Sequence, residues 1–96
     1  MALGLALSMI ICACDHANFL VVENRYTKPV DLSWGGDPVR VAAHTRANLG
    51  RTLVGPNFEI RAVDPLTGEV LTQRVFGQNE WRNYLQGDEF VVVIGP

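Results

Sequence analysis

The chain has 96 residues, of which 48% are hydrophobic and 19% are charged, and its formal net charge is -2 at pH 7. This length fits one small domain, and the apolar content is high enough to form a core and too high for a disordered chain. The eight basic residues form no cluster. That argues against a nucleic-acid partner, because phosphate binding needs a concentrated positive patch.

The first residues differ sharply from the rest of the chain. Residues 1–14 are almost entirely apolar, and every charged residue lies at Asp15 or later. A helix needs about 20 apolar residues to cross a bilayer, whereas the apolar region of a secretory signal has about 7 to 15. We therefore predict that residues 1–13 are a signal peptide.

This segment ends in Ile11-Cys12-Ala13-Cys14. The four positions hold an aliphatic residue, a residue at a position that accepts many types, a small residue and a cysteine. The pattern resembles the lipobox of bacterial lipoprotein precursors. The resemblance implies cleavage after Ala13, a lipid on Cys14, a tether over residues 14–18 and a membrane-anchored place in the bacterial cell envelope, facing the periplasm or the exterior. The basic region that precedes the apolar run in that family is missing here, and we interpret it as truncated. Ordinary signal cleavage and an N-terminal segment buried in the fold stay open as alternatives.

The two cysteines lie two residues apart, so they cannot form a disulfide framework across the domain. The run from Cys12 to His16 contains four potential metal ligands, but structural zinc sites use separated Cys and His pairs. We expect neither a metal nor a cofactor.

From residue 19 onward, turn-forming residues recur about every 8 to 12 positions, which is typical of a β-sandwich or barrel. We predict an all-β domain over residues 19–96, a small seven-stranded antiparallel β-sandwich. The predicted strands are Phe19–Val22, Val30–Trp34, Val39–Ala42, Asn48–Val54, Phe58–Val63, Glu69–Phe76 and Phe90–Ile94.

Turn residues predict two hairpins, one across Gly35–Pro38 and one across Asp64–Gly68. The last strand is apolar on both faces, so we place it inside a sheet. One short helix is predicted near residues 78–85, with Asn79 as its N-cap and Gly87 as its C-cap. Its large side chains, at Trp81, Tyr84 and Leu85, would share one face and cover an end of the sandwich.

This succession of strands and turns resembles small Ig-like or prealbumin-like domains of secreted bacterial proteins. The Asn24-Arg25 turn, Trp34 before a Gly-Asp-Pro hairpin, and the segment from Phe58 to Asp64 also resemble the β-domain of the von Hippel-Lindau protein. Both resemblances concern architecture, and neither implies a functional residue.

The predicted domain contains few residues that could form a catalytic site. Ser33, His44 and Asp31 are the residues available for a nucleophilic site, and the sequence has no Gly-x-Ser-x-Gly elbow to display the serine. Asp31 and Ser33 alternate with apolar residues, which is typical of a solvent-facing stripe. We expect no enzymatic activity, and an accessory hydrolase or metal-binding domain around His44 stays open as an alternative.

Three aromatic residues, Trp34, Trp81 and Tyr84, are the candidates for a binding surface, because exposed aromatic rings anchor protein interfaces and stack on sugars. They could equally fill the ends of the core. We predict a non-catalytic module that binds a protein or a glycan in the envelope or supports a complex there, with a purely structural spacer as the alternative.

Overall fold

A computed structural model describes residues 17–96. The predicted signal peptide, with Ala13 at its predicted cleavage site, and the predicted lipid-attachment residue Cys14 lie outside the described residues. The described chain contains eight β-strands and one 3-10 helix. The strands are β1 (Ala17–Asn24), β2 (Val30–Ser33), β3 (Val39–Val41), β4 (Thr45–Leu53), β5 (Phe58–Val63), β6 (Val70–Phe76), β7 (Leu85–Gln86) and β8 (Glu89–Ile94).

The strands form two four-stranded sheets, with orders β4-β1-β8-β7 and β3-β2-β5-β6. This arrangement is compatible with the predicted β-sandwich. The two predicted hairpins, β2–β3 and β5–β6, are present, and the last strand lies inside a sheet as predicted. Its neighbours there are β1 and β7. The strand count of seven was wrong by one.

Not every strand pair is antiparallel, which corrects a second part of the prediction. β1 and β8 run parallel over six residue pairs, from Phe19 opposite Glu89 to Asn24 opposite Ile94. Parallel neighbours need a long connection, and here the connection is most of the domain. Local turn signals carry no information about such a pairing.

The predicted helix is a single turn of 3-10 helix over Trp81–Tyr84. Its N-cap is Glu80 rather than Asn79, and Glu80 makes no side-chain capping hydrogen bond. Leu85 is already extended and pairs with Phe90, while Gly87 (φ 63°) lies in the tight turn between β7 and β8. Strand pairing thus takes over the residues that would have continued the helix.

The core lies between the sheets, where alternate residues of both inner faces are buried. Four aromatic rings, those of Phe58, Phe76, Tyr84 and Phe90, pack against one another at one end of the core. Phe76 and Phe90 meet edge to face, with centroids 5.2 Å apart and planes at 82°. The buried members from the strands are Leu20, Val22, Val30, Leu32, Val41, Ile60, Ala62, Phe76, Phe90, Val92 and Ile94.

Within residues 17–96, no helix is long and apolar enough to span a membrane.

Candidate functional site

A cleft lies where β2 ends and β5 begins. Its volume is about 410 Å³, and it is open to solvent on one side. We call it the Trp34 cleft; it is lined by Ser33, Trp34, Gly35, Asn57, Phe58, Glu59, Arg61 and Gln73. Polar side chains and one indole ring therefore face the same space.

The floor of the Trp34 cleft is a row of residues on three adjacent strands. Ser33 pairs with Arg61 across β2 and β5, and Arg61 pairs with Gln73 across β5 and β6. Neighbouring strands lie about 4.8 Å apart, so a hydroxyl, a guanidinium and an amide follow one another across the sheet. Glu59 lies two residues before Arg61 on the same face of β5, and its Oε2 accepts a hydrogen bond of 3.1 Å from Gln73 Nε2.

One wall of the cleft is built from two turns with unusual backbone. Gly35 has φ 115° and Asn57 has φ 64°, a left-handed value that asparagine tolerates better than most residues. The Asn57 N–H donates to the Phe76 carbonyl at 2.8 Å, and the Phe58 N–H donates to the Gly55 carbonyl at 3.2 Å. The first bond holds the turn before β5 against β6, and the second closes the turn itself.

Arg61 differs from the other Lys and Arg residues in having no partner within the described part of the chain. Six of the eight Lys and Arg side chains lie within 3.6 Å of a carboxylate oxygen. The seventh, Arg82, lies over the Trp81 ring at 5.5 Å. Among the described residues, Arg61 alone has neither kind of partner, and its side chain is exposed in the Trp34 cleft.

The three predicted aromatic candidates lie in different places. Trp34 is half-buried, packs against the core and lines the cleft. Trp81 is 6% exposed and belongs to the core. Tyr84 is half-buried, and its hydroxyl accepts a 2.6 Å hydrogen bond from Arg74. Only Trp34 presents a ring to a cleft, so the three do not form one surface.

The residues considered for nucleophilic chemistry are also separated. Ser33 belongs to the Trp34 cleft, whereas His44 lines a second cleft of about 310 Å³ with Glu23, Asn24, Arg25, Thr45 and Arg46. Asp31 is held by Arg40, whose Nε lies 2.9 Å from Asp31 Oδ1, and this contact raises the pKa of Arg40. In residues 17–96, no group of three or more His, Cys, Asp or Glu is placed to hold a metal ion.

The sequence did not predict that Glu59, Arg61 and Gln73 lie together in the Trp34 cleft. It indicated instead that Glu59 and Arg61 are surface charges that pair with charges on neighbouring strands. Glu59 accepts a hydrogen bond from the uncharged Gln73 of β6, and Arg61 has no carboxylate partner within residues 17–96. Pairs counted back from Val63 and Val70 at the β5–β6 turn would place Thr72 opposite Arg61, but the register shifts by one between Ala62 and Val63, so that Gln73 lies there instead. The approach of Ser33 and Trp34 depends on the pairing of β2 with β5, which no turn specifies.

No protein-family model, curated protein or solved structure matches this chain.

Proposed function

We propose that this protein is a small, non-catalytic binding module of the bacterial cell envelope, held to the membrane by a lipid on Cys14 and binding its ligand in the Trp34 cleft. The observation that carries the binding proposal is the Arg61 guanidinium, which has no carboxylate partner within residues 17–96 and lies beside a half-buried indole. An exposed charge that the protein itself leaves unpaired, next to an aromatic ring in a cleft, is a ready contact for an external group.

The lipid anchor is supported by the sequence pattern around Cys14. The start of β1 at Ala17 adds a geometric consequence. Only Asp15 and His16 separate Cys14 from that strand, and three extended steps span at most about 11 Å. A lipidated Cys14 would therefore hold the β1 end of the sandwich close to the bilayer. The aromatic contact between Phe58 and Phe90, with centroids 5.4 Å apart, places the Trp34 cleft in that half.

We also infer that the two sheets form an Ig-like or prealbumin-like sandwich. Supporting observations are the two four-stranded sheets, the two local hairpins, and the connections that cross from one sheet to the other after β1, β3, β4 and β6. An experimentally determined structure with strands arranged as a closed barrel would contradict this.

The anchor is tested by intact mass and detergent partition of the protein expressed in bacteria with its natural upstream region. The wild type should lose residues 1–13, gain the mass of diacylglycerol on Cys14 and enter the detergent phase. The Cys14→Ser variant should do none of these. If both chains keep residues 1–13 and stay in the aqueous phase, the anchor is wrong.

Binding is tested separately with the full chain carrying Cys14→Ser, so that a lipid cannot retain it. The protein is sedimented with washed, insoluble bacterial envelope material, and the retained fraction is measured. Trp34→Ala and Arg61→Gln should release the protein, whereas Arg40→Gln, on the same sheet but paired with Asp31, should not. Equal retention of all four chains would contradict binding through this cleft.

A further inference from the structure

The Trp34 cleft combines features that together select one class of ligand. We propose that it binds an acidic saccharide, a sugar chain with a carboxylate on the ring, whose ring lies on Trp34 and whose carboxylate pairs with Arg61. This inference rests on the proposed binding function and specifies its ligand.

Arg61 indicates the anionic group. A guanidinium presents a planar fork of donors that matches a carboxylate, and such pairs are short and often bidentate. The protein supplies no carboxylate for Arg61 within residues 17–96, although it does so for six of its other cations. An external carboxylate would fill this position without displacing an internal partner.

The neighbouring groups indicate hydroxyls. Ser33 can donate and accept, and Gln73 keeps a free carbonyl oxygen and a second amide hydrogen beyond its bond to Glu59. Glu59 retains acceptor capacity for a hydroxyl. A sugar hydroxyl both donates and accepts, so it can pair with each of these groups in turn along the row.

Trp34 indicates a ring with an apolar face. The indole is anchored in the core on one side, so binding would cost little side-chain entropy. The C–H face of a sugar ring can lie flat on it.

The same features disfavour other ligands. A polyphosphate chain has no ring face that could lie on the Trp34 indole. A peptide carboxylate could also reach Arg61, but the floor offers spaced polar groups rather than an apolar pocket for a side chain. Peptide binding is therefore a competing outcome of the test.

The test uses the full chain carrying Cys14→Ser and Trp81→Phe, in a polyoxyethylene detergent that contains no sugar. Trp81→Phe leaves Trp34 as the only tryptophan, and it removes no hydrogen bond because Trp81 Nε1 has no partner in the described structure. The probes are a tetramer of galacturonic acid, its fully methyl-esterified form, and tetra-alanine with a free carboxyl terminus. Calorimetry on the chain with both tryptophans gives a second measurement that does not depend on Trp81→Phe.

We expect the galacturonate tetramer to change Trp34 fluorescence saturably, with a Kd of about 0.1–1 mM for an open site of this size. Esterification and Arg61→Gln should each weaken binding about tenfold or more, and should not add to one another, because both remove the same ion pair. Trp34→Ala should abolish the calorimetric signal, and Arg40→Gln should leave it unchanged.

Equal binding of the acid and its ester, or no effect of Arg61→Gln, would overturn the proposal. Binding of tetra-alanine but not of galacturonate would overturn it in favour of a peptide ligand. If no probe binds while Trp34-dependent retention on envelope material persists, the saccharide is wrong and the binding function stands. If that retention is also absent, the proposed function fails as well.

Discussion

Two buried polar residues hold together the end of the sandwich opposite the Trp34 cleft, and Asn24 is the more deeply buried. Its Nδ2 donates to three backbone carbonyls, those of Lys28, Val41 and Ala42, at 3.1–3.3 Å. Its Oδ1 accepts from the Tyr26 N–H at 2.9 Å. One side chain thereby connects the end of β1 to the loop before β2 and to the end of β3.

Asn24→Ala should lower the free energy of unfolding by about 2–4 kcal/mol, because several buried backbone groups lose their partner at once. Asn83→Ala, at an exposed position of the 3-10 helix, is the matched control and should change it by less than about 0.5 kcal/mol. Urea unfolding followed by circular dichroism measures both. A similar midpoint for the two variants would show that the Asn24 network is dispensable.

Asp64 makes this end of the molecule sensitive to acid. Its carboxylate lies 2.8 Å from Lys28 Nζ and accepts a 2.8 Å hydrogen bond from the Leu66 N–H. The Lys28 hydrogen bond, followed by the Leu66 N–H, lowers the pKa of Asp64 below its ordinary value. A carboxyl whose pKa is lower in the folded chain stabilises that state above the unfolded pKa of about 3.9, and this stabilisation is lost as the pH falls through the folded value.

We therefore expect wild-type stability to decrease as the pH is lowered through about 4, and Asp64→Asn to remove part of that decrease while lowering stability at pH 7. Asp37→Asn, in the exposed β2–β3 turn, is the control and should keep the wild-type profile. Thermal midpoints recorded from pH 7 to pH 2.5 give the comparison. An Asp64→Asn curve parallel to that of the wild type would contradict this assignment.

Three of the four edge strands, β6, β3 and β7, carry features that disfavour pairing with other chains. β6 is an edge strand, but the Tyr26 hydroxyl donates to its Leu71 carbonyl at 3.0 Å. Arg74 of β6 is a charged residue on the inward-facing side, with its guanidinium over the Phe76 ring at 4.5 Å. β3 has three residues and β7 has two, so neither offers a long free edge. Short edges, inward charges and covered carbonyls are known devices against edge-to-edge aggregation.

The end of β8 is fitted closely against the loop that follows β1. The Arg25 N–H donates to the Ile94 carbonyl at 2.9 Å. Gly95 has φ 95°, and a Cβ at this position would lie 3.0 Å from the Tyr26 backbone nitrogen. Both the backbone conformation and the lack of space require glycine here.

Gly95→Ala should cost about 1–3 kcal/mol of stability, because the new methyl group is both strained and crowded. Gly36→Ala has open space around the new Cβ and should be neutral or slightly stabilising. Chemical denaturation of the two variants separates these expectations. Equal stability would indicate that the last residues are not held against the Tyr26 loop.

Among the strands and turns, the sequence predicted those features that depend on residues close together in the chain. Alternating apolar residues and turn signals located seven strands and both hairpins, because these depend on neighbours in the chain. β7 was missed because Leu85 completes a helical spacing with Trp81 and Tyr84, whereas strand pairing with Phe90 decides its conformation. The Trp34 cleft was missed for the same reason, since Ser33 and Arg61 meet only through the pairing of distant strands.

For the whole molecule, the parallel pairing of β1 with β8 makes folding depend on both ends of the domain. β8 lies inside its sheet and supplies Phe90, Val92 and Ile94 to the core. Loss of Phe90 alone would remove a ring that contacts three other aromatic rings. Long-range pairing of this kind also slows folding, because closing the long loop between the two strands costs conformational entropy before their contacts can form.

We expect a chain ending at Asp88 not to fold, because removal of β8 exposes the partner face of β1 and opens the core. A chain ending at Ile94 should fold nearly as the full chain does, since the bond from Arg25 N–H to the Ile94 carbonyl is retained. Both truncations carry residues 1–16 and Cys14→Ser, and cooperative denaturation with near-ultraviolet circular dichroism distinguishes them. A cooperative transition in the chain ending at Asp88 would show that the β3-β2-β5-β6 sheet and β1–β4 form a stable unit without β8. Its absence would mean that the last six-residue strand completes the hydrophobic core, so that the Trp34 cleft forms only when the whole domain is present.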